Sequence, residues 1–423
     1  MLSAFRPTPT LTIREWSRVM PSDTALLQGL NLTDADQELL ADFTQRTSLR
    51  VEELRQGLRI EVGPHIGVVA LSQLRIHIVP KLQLDHVMAM VSAAFELTDL
   101  LLIPNDNPLA STEQGFVDLL ALSLLQGVRN LVRQGLLKRY QPKQGQLNSP
   151  RGRIDLRQVI NRPRQTQLYC QYHDLTGQHV LNQIVAEGLR LSASIVQSAS
   201  LHGDLLSTAN RYFGAIPRLD LNGRTLATAQ AVLDRQSRHY APLLQLVALL
   251  AQGSGVGLTA GGVSVGGFLL DMNRAFERFL TRYLQTHTPP GMRVVSQDSR
   301  ADVFAYLDNP QRWRQPAIRP DFVFIQQGKT RAIGDAKYQD HTLKPPTTPE
   351  LYQLVTYALA YPMPEPREVF LFYPLATGEQ TPPGQLLFKP DGLKAKVLIR
   401  LLGVPIEELL RGSTWWPLSA GLT

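Results

Sequence analysis

The 423-residue sequence has a single cysteine, Cys170. This excludes an internal disulfide, a four-cysteine iron–sulfur cluster and a cysteine-rich zinc site within one chain. It fits a reducing compartment, so a cytoplasmic location is expected. There is no Gly-x-x-x-x-Gly-Lys-[Ser/Thr] phosphate loop, so no nucleotide site of that type is expected in this chain. Residues 1–12 carry one arginine and no apolar core, so no secretory leader is expected. Long apolar runs are also scarce. Residues 116–132 are interrupted by Asp118 and Arg129 and read as an amphipathic helix, and residues 241–270 dissolve into a glycine-rich stretch at 253–267. Neither offers the ~20 uninterrupted apolar residues of a membrane span, and no membrane association is expected.

What is present is ordinary globular material. The length implies two or three domains, and 43% hydrophobic residues suffice for sizeable cores. The formal charge is +7, with a sequence pI near 9.5. The basic residues are mostly arginine, which suits bidentate phosphate contacts, although many basic proteins bind no polyanion.

Three regions are expected. Residues 1–82 read as β-rich: short apolar runs at 57–63, 66–71 and 74–79 are punctuated by Gly63-Pro64 and Ser72-Gln73 and closed by Pro80. A helix interrupts them at 34–44, with Thr33 or Asp34 as its cap. Residues 83–255 read as mainly helical, with helical spacing at 86–97, 112–137, 182–198 and 240–251 and a polar, basic loop at 141–164. The glycines of 253–267 read as an interdomain connection. Residues 256–423 read as mixed α/β: a helix at 268–285, strands at 318–326 and 331–338, a helix at 349–361 opened by Thr348 and Pro349, and a strand at 368–373.

The candidate chemistry lies in Arg319-Pro320-Asp321-Phe322 and Gly334-Asp335-Ala336-Lys337-Tyr338. If the two strands form a hairpin centred near Gly328, a symmetric register sets Asp321 opposite Asp335. A one-residue slip sets it opposite Gly334 instead, and the sequence alone leaves both open. Asp335 and Lys337 are two apart and share a face, while Ala336 points into the core. Two carboxylates and an ammonium on one face suit a hard divalent cation, Mg2+ or Mn2+, with a phosphate substrate. Lys337 would orient the nucleophile or offset charge on the phosphoryl oxygens. Asp-x-Lys is common on solvent faces. Here, however, Asp335 sits among Ala332, Ile333 and Ala336, where an unpaired carboxylate is costly. Gln353 and Tyr357, four apart on the following helix, can reach the same pocket.

These residues resemble the nuclease core of the PD-(D/E)xK superfamily in Pro320-Asp321, Asp335-x-Lys337 and Gln353-x-x-x-Tyr357. Glu277, in Ala275-Phe276-Glu277-Arg278-Phe279, matches that superfamily's frequent additional metal-site carboxylate. A wider likeness spans residues 55–375. It includes Gly67–Leu71, Leu74–Leu82, Arg151-Gly152-Arg153-Ile154-Asp155-Leu156, Leu181-Asn182 and Gly334–Tyr338, and it resembles the McrC family. The resemblance implies a DNA endonuclease subunit of a modification-dependent restriction system, using Mg2+ and partnered by a McrB-like AAA+ GTPase hexamer on double-stranded DNA. It implies that Asp321, Asp335 and Glu277 bind metal, that Lys337 supports the nucleophile, and that the N-terminal region docks on the GTPase. The rival readings are a stand-alone repair nuclease and a non-catalytic activator of an AAA+ ring.

Arg151, Arg153, Arg157 and Arg319 are candidate DNA contacts, against the alternative of a solvated basic face. Cys170, His173, Asp174 and His179 fit no standard zinc spacing and read as a packed turn. His341 is a further candidate for assisting catalysis, and Trp415 and Trp416 read as core or interface plugs.

Overall fold

The computed structural model describes residues 8–97, 115–157, 167–254, 266–339, 341–342, 344–375, 384–390 and 395–418. The chain divides into two compact units: Met1–Gly67, Leu71–Thr98 and Leu269–Thr423 form one, Val68–Ala70 and Asp99–Phe268 the other. The mixed α/β, multi-domain class is as expected. The units do not follow the three consecutive segments 1–82, 83–255 and 256–423, because the N-terminal residues find their packing partners at the far end of the chain. Arg278 lies over the Phe95 ring at 4.8 Å, and the Tyr338 hydroxyl donates to Glu15.

The first unit is built around a six-stranded sheet in the order Met292–Ser296, Phe322–Gln326, Lys329–Ala336, Arg367–Pro374, Val397–Val404, Gly384–Phe388. The helix Thr348–Ala360 carries the chain from Lys329–Ala336 to its parallel neighbour Arg367–Pro374, the crossover that parallel pairing requires. Thr347 caps this helix in a reciprocal box with Glu350, one residue earlier than the expected Thr348. Alternation along the strands sorts the sheet's two faces. Val323, Ile333, Val369 and Leu371 pack under Leu354, Tyr357 and Ala358 of the helix. Phe324 and Phe372 occupy the other face, meeting Trp416 and Trp415 edge-on, so the two tryptophans are core plugs of this unit. Each buried phenylalanine is worth about 1.5–3 kcal/mol of transfer free energy.

The same unit holds the parallel pair Thr10–Arg14 and Arg75–Val79, and an antiparallel sheet of Arg18–Val19, Gly57–Glu61 and Arg50–Leu54. Its helix Asp34–Arg46 is capped by Thr33, whose box partner Asp36 also accepts from Ser72 N at 2.8 Å. The helix expected to begin at residue 268 begins at Met272, and Gly267–Asp271 is a strand. Asp271 sets the boundary by accepting from the backbone of Asn273 and Arg274.

The second unit contains the helices Gly115–Gln134, Val180–Ile195, Ala199–Phe213, Gly223–Ala231 and Ala241–Ser254. Gly115–Gln134 is apolar and long enough for a membrane span, but 72% of its apolar window is buried inside the protein. Its buried Asp118 accepts from Gln197 N and Ser198 N, bracing the start of Ala199–Phe213. The expected basic loop at 141–164 is in part a sheet, in which the long strand Arg139–Leu147 pairs with Leu168–Thr176, with Arg153–Ile154 on the other side. The expected turn at Cys170 is therefore strand. Short-range periodicity missed this because the strands alternate polar residues with few apolar ones, and pairing partners rather than burial make them strands. Arg162 and Arg164, and most of the glycine-rich connection, lie outside the described residues.

Gly334 faces the aromatic layer, and a Cβ there would stand 2.4 Å from Phe372 Cε2. Gly334→Ala should lower stability by about 1–3 kcal/mol through overpacking, read as a reduced denaturant midpoint with an unchanged slope.

Candidate active site

The hairpin turn Gln327-Gly328 takes left-handed φ values of 51° and 76° and pairs Gln326 with Lys329. Continued unbroken, that register would put Asp321 opposite Gly334. A bulge beyond Ile325 and Thr330 shifts the ladder by one residue, so Phe322 pairs with Gly334 and the next step brings Asp321 opposite Asp335. Asp321 and Asp335 thereby share the helix-covered face with Lys337.

The two carboxyls lie close enough that the charge of each raises the proton affinity of the pair. Burial and the neighbouring Asp335 push Asp321 up to about 8, against the pull of an Ala336 N–H donated to its Oδ2 at 2.8 Å. Burial likewise raises Asp335, which is only 2% exposed. Lys337 Nζ stands 2.8 Å from Asp335 Oδ2 as an ion pair, but that oxygen accepts no well-aligned hydrogen bond. Burial works against the Lys337 charge, yet Asp335 and Asp321 outweigh it and hold its pKa above the ordinary value.

The helix Thr348–Ala360 orders the ammonium. Lys337 Nζ donates to Gln353 Oε1 at 3.2 Å, Gln353 Nε2 donates to Tyr357 Oη at 2.7 Å, and the Tyr357 hydroxyl donates to the Arg319 carbonyl at 3.2 Å. The expected Gln-x-x-x-Tyr pair thus forms a continuous chain from the lysine back to the residue two before Asp321.

Glu277 is half-buried on the helix Met272–Thr286, and burial raises its pKa, opposed by a hydrogen bond from Gln297. Gln297 was not foreseen. Its side-chain amide donates to Glu277 Oε1 and, at 3.0 Å, to Asp321 Oδ1, bridging the two carboxyls. Its backbone is left-handed, with φ of 55°, which for a non-glycine residue costs about 1–3 kcal/mol. Nothing local in the sequence marks it, since it lies 20 residues from one acid and 24 from the other.

Between Gln297 and Asp321 the chain makes an excursion closed at its base by paired backbone hydrogen bonds between Arg300 and Ile318. The end of the helix pins it: Arg300 Nη1 donates to the Ala360 carbonyl at 2.9 Å, and the Tyr361 hydroxyl to Asp298 Oδ2 at 2.7 Å. Arg319 is exposed at its end. His341 is buried, with Nδ1 3.1 Å from the Lys344 carbonyl, where it fixes its own loop. In the second unit Arg151, Arg153 and Arg157 are exposed; Arg151 pairs with Asp174 at 3.1 Å and lies over Tyr172.

Among the described residues no three His, Cys, Asp or Glu side chains already converge as a metal-ligand set. The donors nevertheless suit a hard cation, being crowded carboxylate oxygens with raised pKa values, Asp335 among them buried beside the Lys337 ammonium.

The family model described as "McrBC 5-methylcytosine restriction system component" matches residues 60–374. The chain belongs to this family of restriction system components. A chain of the Thermococcus gammatolerans half-complex, refined from a tetradecameric assembly of McrB AAA+ hexamers with bound McrC, shares its fold. The TM-score is 0.65 at 16% identity, covering 97% of this chain and 98% of that one. A chain of the cryo-EM structure of the same organism's McrBC complex matches with a TM-score of 0.45 at 17% identity, over 65% of this chain and 87% of that one. No curated protein matches.

The raised carboxyls fix the sign of a pH effect. Asp321 keeps a proton in the folded state that the unfolded chain has released, so its stabilising contribution is complete below the unfolded pKa near 4 and is lost as pH rises through about 8, and the raised Asp335 works in the same direction. Without divalent cations the melting temperature should therefore fall over that window. Mg2+ should raise it more at pH 8 than at pH 5, and thermal melts at both values check this.

Proposed function

We propose that this chain is the endonuclease subunit of a McrBC-type restriction system, with a PD-(D/E)xK-type core that hydrolyses DNA phosphodiesters. The observation that carries the reading is the buried Asp321–Asp335 pair with Lys337 on the same face, in a chain of the restriction family. Asp321 and Asp335, with Glu277 beside them, would hold Mg2+, or Mn2+ in its place. When bound, the cation would supply Lewis-acid polarisation of the scissile phosphate and acidify water.

The chain's own residues supply the rest. Lys337, kept charged by its carboxylate neighbours, orients the attacking water and balances charge on the phosphoryl oxygens. Gln353 and Tyr357 hold Lys337 in one rotamer, so little reorganisation is needed at reaction. Gln297 bridges Glu277 and Asp321, holding in place two of the carboxyls that would hold the cation. Arg319 is proposed to contact backbone phosphate near the site, and Arg151, Arg153 and Arg157 to contact DNA from the second unit.

The partner is proposed to be a McrB-like AAA+ GTPase hexamer, as in the assembly whose chain this fold matches. The absence of a phosphate loop here supports placing nucleotide hydrolysis in that partner. A cytoplasmic setting fits the single free cysteine.

The deciding experiment is cleavage of methylated and unmethylated plasmid with Mg2+, using the chain alone, the chain with its AAA+ partner and GTP, and the Asp335→Ala variant. Cutting only in the complete mixture, and lost in the variant, is expected. Cutting by the chain alone would favour a stand-alone nuclease, and stimulated GTP hydrolysis without cutting an activator. Lys337→Ala should slow cutting by about 100-fold or more while still co-eluting with the partner. Loss of the complex in that variant would contradict the separation of roles.

A further inference from the structure

Glu15 lies ahead of the family-matched residues 60–374, yet its side chain is buried against the strand that carries the site. Its Oε1 accepts from Lys81 N at 2.7 Å and from the Tyr338 hydroxyl at 3.0 Å, while Oε2 is buried without a donor. The Lys81 ammonium stands 4.2 Å from the Tyr338 ring centroid, so the ring is held by its hydroxyl and by one face. Tyr338 also packs on Phe276, with centroids 6.2 Å apart. In sequence, the members of this aromatic pair directly adjoin Lys337 and Glu277. The backbone at Glu15 is fixed on both sides: Glu15 N donates to the Val79 carbonyl, and the left-handed Trp16 donates to Gly63.

We propose that Glu15 is a positioning residue for the nuclease centre, acting through the Tyr338 hydroxyl to set Lys337 and, through Phe276, Glu277. Burial pushes its carboxyl up to about 7, with the Lys81 N–H, the Lys81 charge and the Tyr338 hydroxyl pulling the other way. Burying a carboxyl costs desolvation that its hydrogen bonds from Lys81 N and Tyr338 have to offset. What the carboxylate provides is a fixed acceptor at the end of the active strand. The inference rests on the nuclease reading but assigns a new role to a residue remote from it in sequence.

The test uses the full chain with its AAA+ partner, in the forms Glu15→Ala, Tyr338→Phe, their combination and Glu15→Gln. Single-turnover cleavage at saturating DNA should slow about 10–100-fold in the first two, with half-saturating DNA unchanged. The combined variant should be no slower than the slower single one, since both break the same bond. Glu15→Gln keeps an acceptor oxygen and should recover to within roughly threefold of the parent. Mn2+ titration of the isolated chain by calorimetry gives a readout free of cleavage, and weaker affinity is expected in Glu15→Ala and Tyr338→Phe. Parent-like rates per folded molecule together with unchanged Mn2+ affinity would overturn the proposal. Cleavage that survives Asp335→Ala would instead sink the nuclease reading, leaving the Mn2+ titration to decide the role of Glu15.

Discussion

Everything in the site follows from two carboxyls being forced together on the apolar face of a sheet. Asp321 and Asp335 cannot both ionise there without compensation. Every neighbour serves that imbalance: a backbone N–H from Ala336, the Lys337 ammonium, the Gln297 amide, and the helix that covers them. A fold that sought only stability would place valine at these positions. Ionisable groups kept in an otherwise phenylalanine-, valine- and isoleucine-rich sheet are costly to the fold, and such costs cluster at functional sites.

The geometry of the site was legible where residue spacing and strand parity decide it. Asp335 and Lys337 had to share a face, and Gln353 and Tyr357 had to share another. Only the fold could close them into one chain ending on Arg319. Register was the gap. The sequence allowed Asp321 to face either Asp335 or Gly334, and the turn by itself selects the second; the bulge at Thr330 selects the first. A bulge leaves no compositional trace in this hairpin, so no counting from Gly328 could have found it. Gln297 was invisible for a related reason, because its role depends on two acids brought to it by separate elements.

The regional reading was less successful, again for a physical reason. Hydrophobic periodicity reports burial, and so it recovered the helices at 34–46, 84–95 and 348–360 to within a few residues. It passed over the polar ribbon around Cys170, and it set the helix start at 268 by following apolar residues through a strand. The N-terminal residues read as a separate region from their β-rich pattern, with docking implied by the family resemblance. In the structure they share a compact unit with the residues carrying Asp321 and Asp335. Pattern along a chain reveals what each segment is, whereas membership of a common core depends on pairings between distant segments.

The excursion between Gln297 and Asp321 has a clamped neck. Paired backbone bonds join Arg300 to Ile318, and Arg300, Tyr357 and Tyr361 tie both of its ends to the neighbouring helix. Strain from an insertion or deletion at the tip is absorbed beyond that neck and does not reach Asp321. The fold thus separates the segment beyond the neck from the anchored pair of acids. Such an arrangement allows what lies beside the acidic pair to be exchanged without rebuilding the pair itself.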